Sequence, residues 1–187
     1  MAKALLIIVS GPPSSGKTSI SKKVAEELHL PLVFKDGIKE MLFNTLGWSD
    51  KEWTEQLNSA TYATLYYFIE AQLEAGLSFV VEADFKPDEH TEKFKALKEK
   101  YRFEPVQVLC TADIEVLRER FKERANSPDR HPGHRDKENY GEFIKSLEEN
   151  EYETLPIGGQ RFEVDTTDFD KIDYDKLFKQ LKTVVGG

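Results

Sequence analysis

Gly11-Pro12-Pro13-Ser14-Ser15-Gly16-Lys17-Thr18 spells G-x-x-x-x-G-K-[ST], set between an apolar run over residues 5–9 and a helical pattern over 19–30. Strand, loop and helix in that order are the setting in which this pattern holds phosphate. The two glycines let the backbone curl so that its N–H groups converge on the β- and γ-phosphates. The start of the following helix adds the positive end of its dipole. Lys17 is expected to bridge those phosphates and Thr18 to ligate Mg²⁺ through its hydroxyl. Gly11, Ser14, Ser15, Gly16 and Ser19 complete the expected nucleotide cradle. A Gly/Ser/Pro turn that matches by chance is the alternative, and both flanks argue against it.

Composition bounds the rest. At 187 residues the chain is long enough for one substantial core and short for two, so residues 1–187 are read as a single domain. Asp and Glu outnumber Lys and Arg by 34 to 26, a net charge of −8. A chain that grips a long duplex draws affinity from phosphate neutralisation and carries a basic surplus. The balance here favours a small acceptor and leaves a polynucleotide as the alternative. The single Cys110 has no internal disulfide partner, which points to a reducing, cytoplasmic setting. The run over residues 5–9 is too short for a signal peptide, and no stretch approaches a membrane span.

Further strands are expected over residues 31–35, 77–81, 105–110 and 162–165. Helical patterns lie between them. One starts after Asp36 and stops at Gly47; a long one, opened by a Ser49/Glu52 capping box, runs to Gly76. Others begin at Pro87, cover 114–124 and 140–152, and close the chain over 174–185. Residues 126–137 have no periodicity and many turn formers and bases, and read as a mobile loop, a lid of about 126–138. Strands alternating with helices make an α/β fold around a parallel sheet, with ligands beyond the carboxyl ends of the strands.

The residues just after each strand therefore carry the chemistry. Asp36 follows the second strand with Lys35 and Lys39 beside it, which suits a general base taking a proton from an acceptor hydroxyl. A helix N-cap is its simpler reading. Lys39 is placed to hold the acceptor or its phosphate. Glu82 and Asp84 close the third strand; Glu82 is favoured as a group near Mg²⁺ or the acceptor, against two solvated acids at a strand end. Arg120 and Arg124, one turn apart, lead to Arg130 and Arg135, and arginines closing over a γ-phosphoryl group stabilise its developing charge. Glu115, Glu119 and Glu123 are interleaved with them, so Arg118 and Lys122 read as a solvated helix face. His131 and His134 fall short of a zinc set. Cys110 reads as a buried small hydrophobe, and Trp48, Trp53, Tyr62, Tyr66 and Tyr67 mostly as core, with one or two lining an acceptor pocket.

Lys35-Asp36-Gly37-Ile38-Lys39, Glu82, the Arg120-x-x-x-Arg124 helix with Arg130-His131-Pro132-Gly133-His134, and Val164-Asp165-Thr166-Thr167 together carry a family resemblance. Over nearly its whole length the chain resembles the P-loop kinases of the adenylate-kinase-like branch. Within that branch it looks most like the small ATPase-annotated kinases allied to chloramphenicol phosphotransferase, zeta toxins and the kinase domain of polynucleotide 5′-kinases. The resemblance implies a three-layer α/β/α sandwich with a five-stranded parallel sheet in the order 2-3-1-4-5. It implies a catalytic Asp36, an Arg120/Arg124 pair before a lid, and Asp165 and Thr166 near the nucleotide base. The resemblance implies a carboxylate at the end of the third strand, matched by Glu82, as the Mg²⁺ partner beside Thr18; the chain departs from the family in having no hydrophobic run ending in Asp of the usual Walker B form. No N-K-x-D or D-x-x-G motif supports a GTPase switch. The expected activity is Mg²⁺-dependent transfer of a γ-phosphate from ATP or GTP. Its acceptor is a hydroxyl of a small molecule or nucleoside; a polynucleotide 5′-hydroxyl, or a nucleotide switch without any acceptor, is the alternative.

Overall fold

Apolar runs too short to be helices, and apolar on both faces, belong in the middle of a parallel sheet. In the computed structural model, which describes residues 3–185, Leu5–Ser10 forms such a strand, β1, with every residue buried. The others are β2 (Leu32–Phe34), β3 (Phe79–Glu82), β4 (Glu104–Thr111) and β5 (Gln160–Asp165). They form one five-stranded sheet in the order β2-β3-β1-β4-β5, every pair parallel.

Alternation along the strands divides the core in two. Leu6, Ile8, Phe79 and Val81 face Leu65, Ile69 and Leu73 of α3 (Lys51–Glu74) and Phe94 and Leu97 of α4 (Pro87–Tyr101). Leu5, Ile7, Val9, Val106 and Val108 face Ile20 and Val24 of α1 (Lys17–Leu28) and Leu177 and Leu181 of α7 (Tyr174–Val185). Cys110 is fully buried in the second cluster, and burial pushes its thiol up to about 12, so it acts as a small apolar side chain. A third, smaller cluster joins Leu117 and Phe121 of α5 (Ile114–Asn126) to Phe143 of α6 (Tyr140–Glu148).

Several expected boundaries move for identifiable reasons. Helix α1 starts at Lys17 because Gly16, in the left-handed region, serves as its N-cap. Strand β2 stops at Phe34, and Lys35 already opens α2 (Lys35–Leu46). The expected Ser49/Glu52 capping box does not form. Asp50, one residue nearer, is the N-cap of α3, its Oδ1 accepting the Trp53 N–H at 2.8 Å. Helix α6 ends at Glu148, short of Tyr152, and the chain after it is held by Gln107 of β4. Gln107 Oε1 accepts the Leu155 N–H at 2.7 Å and its Nε2 donates to the Leu155 carbonyl at 2.9 Å. The aperiodic stretch 126–138 is packed. It contains a 3₁₀ turn, Pro132–His134, and the Phe43 ring stacks on His131 at 5.0 Å and meets His134 edge-on at 5.3 Å. Trp48 and Tyr67 are exposed, against the expectation of core. Among the described residues no helix is long and apolar enough to cross a membrane.

The register sets up the site. Phe34 of β2 pairs with Glu82 of β3, and Glu82 with Val9 of β1. Three strands thus finish in one row, so Asp36, Asp84 and Gly11, each a step or two further along the chain, emerge at one sheet edge.

Candidate active site

The loop after β1 is forced by close approach. A Cβ on Gly11 would sit 2.3 Å from the Cys110 carbonyl oxygen, and one on Gly16 2.4 Å from the Phe169 ring. Both glycines have positive φ, and so does Ser14, at 66°, where a side chain is strained. Thr166, fully buried, supports the loop from behind, its hydroxyl 2.8 Å from the Ser15 and Thr111 carbonyls. The hydroxyls of Ser14 and Ser15 are buried without a partner among the described residues. Two hydroxyls left unpaired in one tight loop with left-handed backbone fit a phosphate cradle. Lys17 Nζ rests on the Pro12 carbonyl at 3.3 Å and has no carboxylate partner among the described residues. Ser19 is exposed on the first turn of α1.

Thr18 and Glu82 meet at the end of this loop. The Thr18 hydroxyl donates to Glu82 Oε2 at 2.7 Å, although the two are far apart in sequence. Burial raises the Glu82 carboxyl above its ordinary range, against the pull of Lys17 and the Thr18 hydroxyl. The pair offers only hard oxygen donors, and Mg²⁺ binds through one or two such protein ligands, completed by phosphates and water. The residues present fit that ion. Among the described residues no group of three or more His, Cys, Asp and Glu forms a cage for another metal.

A cavity of about 360 Å³ opens in front of these groups. Lys17, Asp36, Lys39, Glu82, Arg124, Arg130 and Arg135 all line it, so the structure brings together the acceptor-side and transfer residues expected from sequence. Asp36 lies in the first turn of α2 and is not its cap, which is Phe34. Its Oδ2 accepts from Arg130 Nη1 at 2.9 Å. Burial alone would raise this carboxyl, but Arg130, Lys35 and Lys17, with His134 when protonated, hold it well below the usual carboxylate range. Burial itself holds His134 down to about 4, so at neutral pH the lasting cations are the two lysines and Arg130. His134 Nε2 lies 2.8 Å from Glu40 Oε1, and His131 Nδ1 accepts the Gly133 N–H at 3.0 Å; both shape the lid turn.

Three residues were not foreseen in their roles. Asp136, buried at 9% side-chain exposure, accepts from Arg124 Nε at 3.0 Å and from Arg130 Nε at 2.8 Å and so clamps both arginines. Its place inside an arginine-rich lid is the one signal the sequence offers. Asp84 accepts from Lys35 Nζ at 2.5 Å and from the Tyr62 hydroxyl at 2.9 Å, which fixes Lys35 beside Asp36. Phe169 lies on the other side of the phosphate loop, against Gly16 and under Arg120, whose guanidinium sits 4.5 Å above its ring. Arg120 donates to the Thr167 carbonyl at 3.1 Å, and its Nη1 is buried without a partner among the described residues. Asp165 is exposed and accepts the Thr167 N–H at 2.8 Å; like Arg120 and Thr166 it lies outside the cavity. Arg135 donates to the Ser49 carbonyl at 3.1 Å at the cavity rim.

A family model described as an AAA domain matches residues 6–149. No curated protein matches the chain significantly. Among solved structures, a candidate kinase from Chloroflexus aurantiacus j-10-fl is 34% identical and superposes with a TM-score of 0.88 over 98% of each chain. A sugar kinase from Janibacter sp. HTCC2649 is 16% identical with a TM-score of 0.58, covering 97% of this chain and 94% of its own. A gluconokinase from Sinorhizobium meliloti 1021 is 15% identical with a TM-score of 0.54, covering 97% and 96%. The last two share the fold.

Proposed function

The chain belongs to the AAA-domain family, within the P-loop NTPase and kinase superfamily, and we propose that it transfers the γ-phosphate of ATP or GTP to a hydroxyl of a small molecule. The observation that carries this reading is that Lys17 of the phosphate loop and Asp36 open on one cavity of about 360 Å³. A donor's terminal phosphate and an acceptor's hydroxyl meet in such a space, and the volume suits a metabolite. The lining is mixed, eight lysines and arginines against seven carboxylates, and so lacks the basic surplus of a groove for a polynucleotide.

In the proposed reaction Gly11, Ser14, Ser15, Gly16, Lys17 and Ser19 hold the triphosphate, and Arg120 with Phe169 and the Asp165–Thr166 segment flank the nucleotide on the far side of the loop. Asp36 accepts a hydrogen bond from the acceptor hydroxyl and orients its oxygen. That oxygen bonds to the γ-phosphorus as the bond to the β–γ bridging oxygen breaks. The nucleoside diphosphate leaves with the electron pair, and the hydroxyl proton passes to Asp36 and then to solvent. Arg124 and Arg130 neutralise charge on the moving phosphoryl group. Lys39 and Arg135 contact the acceptor. Thr18 and Glu82 would hold Mg²⁺, which would supply charge neutralisation for the triphosphate. The whole chain acts as one domain, with residues 126–138 as its lid.

The test is transfer from γ-labelled ATP and GTP to two acceptor sets side by side. One is 5′-hydroxyl oligonucleotides of RNA and DNA; the other is a pool of nucleosides, sugars and hydroxy acids. Label in the small-molecule pool is expected. Label on the oligonucleotide makes the protein a polynucleotide kinase, and label only in free phosphate makes it a switch.

A further inference from the structure

Of the eight lysines and arginines lining the cavity, six have a carboxylate within ion-pair distance. Among the described residues the two without one are Lys17 and Lys39. Lys17 has an assigned anion, the triphosphate. Lys39 has none. Its Nζ makes one long hydrogen bond, 3.3 Å, to the neutral oxygen of Asn58, and stands 5.7 Å from the Phe43 ring. The nearby carboxylates are spent elsewhere. Asp36 is paired with Arg130, Glu40 with His134 and Arg130, Asp84 with Lys35, and Glu55 faces Lys51. Burial and the charge of Lys35 push Lys39 down to about 8 against the pull of Asp36 and Asp84, so its surroundings compensate the ammonium only in part.

We propose that Lys39 and Asn58 form an anion subsite, so that the acceptor is a small molecule carrying a carboxylate or phosphate about one helical turn, roughly 5–6 Å, from the hydroxyl presented to Asp36. Lys39 follows Asp36 by three positions on α2, so both point to the same cavity wall. Asn58 lies on α3 across from them, and its amide nitrogen, free of any partner among the described residues, adds a neutral donor. An aspartate there would close the pair and leave nothing for a ligand. The inference rests on the phosphotransfer reading for the word acceptor; the subsite itself is testable without it.

The test fills the phosphate loop first, with Mg²⁺ and a non-hydrolysable ATP analogue, so that Lys17 is occupied. Inorganic phosphate and glycerate are then titrated by calorimetry against wild type, Lys39→Met, Lys39→Arg and Asn58→Asp. Saturable binding is expected in wild type and Lys39→Arg, weakened at least tenfold in Lys39→Met. Asn58→Asp supplies the missing counter-charge, so it is expected to raise the thermal midpoint of the free protein while weakening the anion tenfold or more. Equal anion affinity in wild type and Lys39→Met overturns the subsite, as does anion binding unchanged in Asn58→Asp. In parallel, label transfer is compared for glycerate against glycerol and for glucose 6-phosphate against glucose. Preference for the charged member of a pair, lost in Lys39→Met, supports the acceptor class. Preference for the neutral member, unaltered in Lys39→Met, overturns that class while leaving the kinase intact. Anion binding that depends on Lys39, with no label transferred to any acceptor, retains the subsite and removes the kinase.

Discussion

Asp36 remains ionised throughout the range in which the protein is expected to work, because Arg130, Lys35 and Lys17 outweigh the cost of its burial. Its resting basicity is therefore low. That suits a loose phosphoryl-transfer transition state, in which positioning the hydroxyl matters more than pulling its proton early. Asp36→Asn keeps the shape and removes the charge, so the label-transfer rate is expected to fall by about 10²–10⁴ while nucleotide affinity stays within a factor of two or so. Wild-type transfer by this variant would remove Asp36 from the mechanism. A second residue-scale expectation concerns pH. Burial holds folded His134 at about 4, against 6.5 for the free side chain. Between those values the unfolded chain binds a proton that the folded one does not, so stability falls as pH drops from 6.5 towards 4 and is fully present above 6.5. The whole shift corresponds to at most about 3–4 kcal/mol. Buried His90, also depressed, contributes in the same sense. Thermal midpoints measured from pH 7 to pH 4.5 are expected to fall less steeply in His134→Gln, with a residual slope from His90.

Helix α3 shows what an element's pattern resolves and what it does not. Its length is readable from the sequence, and of the apolar positions at helical spacing Leu57, Leu65, Ile69 and Leu73 are buried, Trp53 and Phe68 are half-buried and Ala60 is exposed. Its start was misplaced, because Ser49-x-x-Glu52 and Asp50 are competing caps in adjacent positions and only the chain's path after Gly47 decides between them. Asp50→Ala is accordingly expected to cost about 1 kcal/mol in denaturant unfolding, and Ser49→Ala less than about 0.5 kcal/mol. Equal effects would mean that the cap alternates. The lid makes the same point from the other side. The arginines of α5 and of residues 126–138 were legible as a set from their spacing, but the carboxylate that holds two of them was not. Asp136 meets Arg124 only because α5 and the lid fold back on each other, and no periodicity records such a meeting. Asp136→Asn is expected to lower label transfer by roughly ten- to a hundredfold by letting both guanidinium groups drift, with nucleotide binding little changed. A parallel loss of nucleotide affinity would place the clamp's role in binding.

At the scale of the whole molecule the site is a product of sheet order. With β2, β3 and β1 adjacent, the residues that follow them converge, and Lys17, Asp36 and Glu82 share one cavity. Which residues follow each strand was plain from the apolar runs; which strands are neighbours was not, since buried parallel strands look alike in sequence, and the order came only from resemblance. The Arg120–Phe169 contact escaped for a related reason, because Phe169 lies in an aperiodic segment that touches the phosphate loop only once β5 is in place. This convergence also has a thermodynamic consequence. The phosphate loop is tied to β1, β4 and the turn after β5 through Gly11 against Cys110 and Thr166 against Ser15, so a ligand that satisfies its orphan hydroxyls binds only the folded chain. Binding to the native state alone adds RT ln(1 + [L]/Kd), about 2.7 kcal/mol at a hundredfold excess over Kd. For a chain of 187 residues that corresponds to a rise in thermal midpoint of roughly 5–10 °C. Mg²⁺ with a non-hydrolysable ATP analogue is expected to produce that rise in wild type and in Asp36→Asn, and to lose most of it in Lys17→Met. A rise of equal size in Lys17→Met would show that the stabilising contacts lie elsewhere than the loop on which the fold is centred.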